Sequence, residues 1–373
     1  MKLTISKDDL LYAVNAVEKA VSTKNTLPVL AGILVQAEEG QARFRATDLD
    51  LAIECLVNAK VEETGRMVVP GKKISALARL LPDCPIRLSC TADLLQVEYD
   101  GSSVDIPCYP PEDFPLLPKN AGEIQGAIPV RAFKRLVRQV GVAAALDELR
   151  PVFTGVYTEI DHADIVMVAT DTHRLAKGEG VWEGEGQANL LIPNRTLQEV
   201  ARLAANEEDQ IRISAGKNQV FFTFANLTFT SRLIVGEYPD YRQVIPKEEM
   251  FVGEIGADRR RLTETLERAS LISRNTVSKS NTVRLTMEDG CLRVCAEVPD
   301  EGRIDEQLPA RCEGDYLTVS YNVKYLLDVL RVLDCERIRL RLTGANTPGV
   351  ILADGDDAEE YLYLLLPLRT SSR

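Results

Sequence analysis

Val130-Arg131-Ala132-Phe133-Lys134-Arg135-Leu136-Val137-Arg138-Gln139-Val140 is the stretch that decides the fold. Its apolar members Phe133, Leu136, Val137 and Val140 stand at offsets 0, 3, 4 and 7, which places all four on one helical face. The same spacing occurs upstream as Leu10, Ala13, Val14 and Val17, and downstream as Leu262, Thr265, Leu266 and Ala269. Thr265 is the one polar member. Each helix follows a strand-like stretch: Leu3-Thr4-Ile5, Gly126-Ala127-Ile128 and Phe251-Val252-Gly253-Glu254-Ile255. Ser6 and Asp9 have capping-box spacing, with Asp a weaker partner there than Glu or Gln.

A second helix recurs in each third, again at offsets 0, 3, 4 and 7: Ile74, Leu77, Ala78, Leu81; Leu197, Val200, Ala201, Ala204; Val323, Leu326, Leu327, Leu330. Strands precede these helices at Met67-Val68-Val69, Leu190-Leu191-Ile192 and Leu317-Thr318-Val319. Strands follow them at Ile86-Arg87-Leu88, Ile211-Arg212-Ile213 and Ile338-Arg339-Leu340. Val220, Phe222 and Phe224 alternate up to Ala225-Asn226, and Leu227, Phe229 and Ser231 continue beyond it, as in a hairpin. Ile74 and Leu197 are 123 positions apart, and Leu197 and Val323 are 126. A period of that length is a domain and not a solenoid unit. The expectation is an α+β chain of three tandem similar domains, 1–120, 121–247 and 248–373, each with two helices packed on antiparallel sheet. Pro115-Leu116-Leu117-Pro118-Lys119-Asn120 and Pro246-Lys247-Glu248-Glu249 read as linkers.

With 45% hydrophobic and 27% charged residues, the 373-residue chain has a globular composition. It shows no apolar run long enough to span a bilayer, and Met1 to Ser6 lacks the pattern of a signal peptide, so a cytoplasmic location without membrane partners is the expectation. The eight cysteines, Cys55, Cys84, Cys90, Cys108, Cys291, Cys295, Cys312 and Cys335, form no Cys-x-x-Cys pair and read as reduced thiols; with two histidines, His162 and His173, no metal or cofactor is expected.

The net charge of −12 argues against DNA binding by the surface as a whole. Offsets −2 and +5 from the first stripe residue point away from the buried face. They hold Lys72 and Arg79, Arg131 and Arg138, Arg195 and Arg202, with Lys73, Lys134 and Arg135 alongside, and Arg260 at −2 of a fourth helix. The first helix carries Asp8, Asp9 and Glu18 instead, and the last has Tyr321 and Asp328 at the two offsets. Phosphate contacts of this kind are independent of sequence and sensitive to salt, and without a stacking aromatic pattern duplex DNA is the better fit.

An enzyme built on Asp171, His173 and Arg174 is the competing reading. Strand alternation would place Asp171 and His173 on the same side, with no nucleophile evident and no Gly-rich phosphate loop; Gly178-Glu179-Gly180 reads as part of an acidic hairpin. A repeat scaffold that binds peptides without DNA is the other alternative.

The chain resembles the β subunit of bacterial DNA polymerase III, the sliding clamp, along essentially its whole length. The residues carrying the resemblance are Thr26-Leu27-Pro28-Val29-Leu30, Ala46-Thr47-Asp48-Leu49-Asp50, Ala169-Thr170-Asp171-Thr172-His173-Arg174-Leu175-Ala176, Gly236-Glu237-Tyr238-Pro239-Asp240-Tyr241-Arg242, Tyr321-Asn322-Val323 and Leu366-Pro367-Leu368-Arg369. The resemblance implies a head-to-tail homodimer ring lined by helices, a non-catalytic processivity factor that encircles duplex DNA. It implies partners in the polymerase catalytic subunit, the clamp loader and other proteins bearing a short hydrophobic motif. Their pocket would comprise Phe153, Thr170, Thr172, His173, Arg174, Leu175, Pro239, Arg242, Gln243, Val244, Leu364, Leu365, Leu366, Pro367 and Leu368. The run Tyr363 to Leu368 also reads as a plain edge strand. The ring interface would involve Val104 and Ile106 with Leu271 and Ile272, and Lys24 would lie in a DNA-contacting loop. Gln243 stands where the family has Arg, Thr172 where it has Gly, and leucines replace methionines near the C-terminus.

Overall fold

The computed structural model describes residues 1–23, 27–91, 93–118, 122, 124–147, 149–273, 281–299, 301–355 and 360–368. Lys24, Lys119, Asn120 and the tail from Arg369 lie outside them. Among the described residues the helices are α1 (Lys7–Val17), α2 (Gly71–Leu80), α3 (Val130–Gly141), α4 (Asn194–Leu203), α5 (Arg259–Ser273) and α6 (Val323–Val332). Every strand pairing is antiparallel. Two compact units emerge: Met1–Phe133, Glu183–Gly186 and Arg195–Leu233 form unit 1; Lys134–Trp182, Gln187–Asn194 and Ile234–Arg373 form unit 2.

In unit 1, α1 begins at Ser6, whose Oγ accepts the Asp9 N–H at 3.0 Å. Asp9 is too short to return a bond to the Ser6 backbone; its Oδ2 accepts the Ser6 hydroxyl at 2.6 Å instead. The stripe of Leu10, Ala13, Val14 and Val17 is fully buried against α2 and the strands Gln41–Thr47 and Leu51–Asn58. Each large member contributes roughly 1.5–3 kcal/mol by leaving water. A five-stranded sheet runs in the order Lys60–Glu63, Lys2–Ile5, Ile86–Thr91, Leu94–Tyr99, Ser102–Pro107, so Ser102–Pro107 is an edge. A nine-stranded sheet includes the hairpin Gln219–Phe224 and Leu227–Arg232, closed by Ala225-Asn226 with Ala225 at φ +46°.

Unit 2 is built on a twelve-stranded sheet, with α5 and α6 packed together. Thr265, the polar member of the α5 stripe, is buried with its neighbours. Several local expectations need correction. Phe251 and Val252 precede the strand Gly253–Asp258, and Leu317 precedes Thr318–Asn322. Gly178-Glu179-Gly180 lies within the strand Arg174–Val181, one arm of the antiparallel pair with Asp164–Thr170. A Cβ on Gly178 would come within 2.9 Å of Leu136 Cδ2 and one on Gly180 within 3.1 Å of Leu136 Cδ1, so both glycines let the Leu136 side chain lie on the sheet. Tyr361–Leu365 is no edge strand: it pairs on one side with Gly349–Asp354 and on the other with Arg174–Val181. Among the described residues, 302–309 of the long strand Gly302–Gly314 pair only with Cys291–Val298, and only 310–314 reach Gly253–Asp258.

No helix among the described residues is long and apolar enough to cross a membrane. Burial pushes the Cys55 thiol up to about 12 and the Cys108 thiol up to about 11, which keeps both protonated.

Candidate functional site

The strand Asp164–Thr170 does not continue through Asp171 and His173. A tight turn intervenes. Asp171 Oδ1 accepts the N–H groups of His173 and Arg174 at 3.0 and 3.1 Å. Thr170 Oγ1 accepts the Thr172 N–H at 3.1 Å and donates to the Arg174 carbonyl at 2.6 Å. Thr172 is thereby held at φ +76°, a left-handed conformation uncommon for a β-branched residue. The Asp171 carboxylate is engaged by this turn and by Arg174 Nε at 3.0 Å.

Arg174 is buried. Its Nη1 donates to Asp328 at 2.6 Å and to the Tyr363 hydroxyl at 3.2 Å, and its guanidinium lies 4.2 Å from the Tyr325 ring centroid. Although burial opposes its charge, Tyr363, Asp328 and Asp171 hold the guanidinium above its usual range. Burial raises the Tyr363 phenol in turn. Asp328, assigned by its helical offset to an outward face, therefore turns to Arg174, and Tyr321 at the other offset is fully buried.

Against this turn stands the segment Tyr238 to Val244. Tyr238 stacks on Tyr157 with centroids 4.9 Å apart and meets Phe153 edge-on at 6.2 Å. Asp240 caps the short helix Tyr241–Gln243 by accepting the Arg242 N–H at 3.2 Å. Glu159 receives the Tyr241 hydroxyl at 2.7 Å and Arg242 Nη2 at 2.6 Å. Burial and the Glu159 carboxylate together push the Tyr241 phenol up. The strand Tyr361–Leu365 completes the wall, and Leu366 N–H donates to the His173 carbonyl at 3.0 Å.

Together they enclose an apolar groove of about 240 Å³. Phe153, Thr170, Thr172, His173, Arg174, Leu175, Pro239, Val244, Leu364 and Leu366 line it, with Tyr238, Asp240 and Tyr241, which the sequence reading left out although it had quoted their motif. Arg242, Gln243, Leu365, Pro367 and Leu368 are not among the lining residues. Leu365 is fully buried, Arg242 faces Glu159, and Gln243 donates to Asp240 at 3.2 Å. A wider hollow of about 570 Å³ adjoins across Phe153, Thr172, His173 and Arg174, walled by Leu146, Leu149, Arg150, Lys324 and Tyr325. Leu146 and Leu149 are exposed there, and the sequence alone carries no sign of this hollow.

The helix cations Lys72, Lys73, Arg79, Arg131, Arg138, Arg195, Arg202 and Arg260 are all exposed, while Lys134 is half-buried. Five are not free charges. Arg79 pairs with Glu18 at 2.6 Å, Arg138 with Asp334 at 3.6 Å, Arg195 with Asp48 at 2.9 Å, Arg202 with Glu199 at 2.7 Å and Arg260 with Glu264 at 3.0 Å. Among the described residues, Lys72, Lys73 and Arg131 have no such partner. Val104 and Ile106 lie on the edge strand Ser102–Pro107, Val104 half-buried and Ile106 inside its own core. Leu271 is 73% exposed near the end of α5, and Ile272 beside it is half-buried.

Residues 1–118, 127–240 and 242–369 match the N-terminal, central and C-terminal domains of the DNA polymerase III beta subunit. A beta sliding clamp of Staphylococcus aureus is 30% identical over 381 aligned residues, covering 99% of this chain and 100% of that one. The crystal structure of a DNA polymerase sliding clamp from Bacillus subtilis superposes with a TM-score of 0.94 at 29% identity, covering 100% of both chains. That of a sliding clamp from Pseudomonas aeruginosa bound to griselimycin gives 0.92 at 28% identity, covering 99% of this chain and 100% of that one. With a solvent-facing groove, cationic helix faces and three consecutive domain matches across nearly all its length, the chain belongs to the DNA polymerase III beta subunit family, the DNA sliding clamps.

Proposed function

We propose that the chain pairs head-to-tail with a second copy to form a ring around duplex DNA, in the cytoplasm, and there tethers a replicative polymerase without catalysing a reaction. In this reading the domains are 1–120, 121–247 and 248–373. The observation that carries it is the recurrence of exposed Lys and Arg on the helix faces opposite the buried stripes, in a chain of net charge −12. A closed ring retains DNA by topology, so its outside need not attract phosphate; only the wall facing the duplex must.

Two strand edges that are unpaired among the described residues support self-association: Ser102–Pro107, with Val104 and Ile106, and residues 302–309 near Ile272. A strand edge offers backbone groups to another chain. The family resemblance points to Leu271 and Ile272 but not to the strand beside them. The groove of unit 2 suits an extended apolar peptide from the polymerase catalytic subunit, the clamp loader or other motif-bearing partners, since it is apolar with a few polar groups at its rim.

The test is loader-assisted retention on nicked circular DNA. Bound protein should survive gel filtration on the circle and be lost when the circle is cut. Equal retention on linear and circular DNA would refute encirclement.

A further inference from the structure

The hydrogen bonds that shape the groove of unit 2 occur a second time in unit 1. Thr47 Oγ1 donates to the Leu51 carbonyl at 3.0 Å and accepts the Leu49 N–H at 3.0 Å. Asp48 Oδ1 accepts the Asp50 and Leu51 N–H groups at 3.1 and 2.8 Å. Leu49 sits at φ +79°, matching Thr172 at +76°. Thr47 and Thr170 are 123 positions apart, the same spacing as Ile74 and Leu197.

The neighbouring strand repeats as well. Ala52 pairs with Thr230 as Leu175 pairs with Leu364. Arg232 N–H donates to the Asp50 carbonyl at 2.8 Å, as Leu366 N–H donates to that of His173. The opposite wall follows an aromatic–proline pair in each, Phe114-Pro115 here and Tyr238-Pro239 there. The enclosed space is about 110 Å³ against about 240 Å³.

We propose that unit 1 carries a second copy of the peptide groove, closed to apolar peptides by four side chains. Asp50, Ala52, Thr230 and Arg232 stand where the other copy has His173, Leu175, Leu364 and Leu366. Leu175, Leu364 and Leu366 are therefore the residues that give the unit 2 groove its selectivity. An apolar occupant of the unit 1 copy would strip water from the Asp50 carboxylate and the Arg232 guanidinium, and would meet Ala52 and Thr230 where the other copy offers Leu175 and Leu364. The inference rests on the peptide-groove reading of unit 2.

The test is titration calorimetry with griselimycin on the full-length protein. The wild type should bind one molecule per chain. The variant Asp50→His, Ala52→Leu, Thr230→Leu, Arg232→Leu should bind two. A Trp placed at the fully exposed Leu116, which lines the unit 1 groove, should change its fluorescence on titration only in that variant. In the reverse direction, Leu364→Thr with Leu366→Arg should weaken binding at least tenfold. A four-fold substituted protein that melts like the wild type but still binds one molecule overturns the proposal. So does a wild type that already binds two, or a reverse variant whose affinity is unchanged. A wild type that binds none overturns instead the peptide reading of unit 2.

Discussion

Replacing Arg174 with Met removes a buried cation while keeping most of its length. Arg174 is 6% exposed, and its loss leaves Asp171 and Asp328, whose side chains are 14% and 22% exposed, facing each other without a counter-charge. Breaking a buried pair from one side costs about 3–5 kcal/mol, and the partial exposure of Asp328 puts this case near about 3 kcal/mol. The stacking of the guanidinium on Tyr325 is lost as well. For a unit of roughly 150–250 residues each kcal/mol moves the melting temperature by roughly 2–4 °C, so a drop of roughly 6–12 °C is expected. Differential scanning calorimetry reads it directly. Arg174→Met combined with Asp328→Leu should recover a sizeable part of the loss, because the second substitution removes the stranded carboxylate. A single variant that melts within about 2 °C of the wild type, or a double variant less stable than the single, would refute the buried ion cluster as the core of the turn.

Three other outcomes are expected. Arg79→Glu, Arg138→Glu and Arg202→Glu together should lower the salt slope of duplex binding by roughly 0.9 per lost phosphate contact; an unchanged slope in a fluorescence titration would favour a scaffold that ignores DNA. Leu271→Ala with Ile272→Ala should weaken the dimer by roughly 2–4 kcal/mol, or roughly 30- to 1000-fold in Kd, and unaltered sedimentation equilibrium would sink that interface assignment. Arg43, whose Nη2 lies 2.9 Å from Glu38 Oε2, holds the Glu38 carboxyl below the usual glutamate range by its hydrogen bond, against the opposing effect of burial. A depressed folded value means the stabilisation is present above the ordinary value of about 4.3 and is lost as pH falls through the lower folded value. Melting temperature should therefore fall as pH drops below about 4.3, and less steeply in Glu38→Gln; parallel profiles would exclude the Arg43 pairing as a cause.

The helical stripes were legible because burial acts on side-chain period: Phe133, Leu136, Val137 and Val140 are at most 4% exposed. The turn at Asp171 was not. Thr170-Asp171-Thr172-His173 alternates like a strand, yet the Asp171 carboxylate captures two backbone N–H groups and forces Thr172 left-handed. That competition between side chain and ladder leaves no periodic trace. The groove was half legible for a related reason. Leu175, Leu364 and Leu366 announce themselves as apolar strand residues, but which of them share a wall with Tyr238 depends on pairings across the sheet, such as Leu175 with Leu364, that join segments far apart in sequence. Gly178 and Gly180 read as part of a hairpin, but nothing in the sequence marks them as the points where the Leu136 side chain closes on the sheet.

Helical offsets also mistook Asp328, and that error shows how the arginines should be sorted. Arg174 is held by partners it cannot exchange, because it lies out of water and any phosphate would have to displace two carboxylates from a buried site. The paired helix arginines are different. Arg79, Arg195 and Arg260 are 53%, 60% and 87% exposed, and exposed pairs of this kind are worth about 0–1 kcal/mol. A DNA phosphate gains at least as much by charge-assisted contact and by counterion release, so it can take over the guanidinium while the freed carboxylate returns to solvent. In the proposed ring, ion pairing on these faces would lower the charge of the free protein without removing the proposed contacts to DNA. A chain of net charge −12 can in this way keep a cationic wall for a sliding duplex and still repel nucleic acid elsewhere.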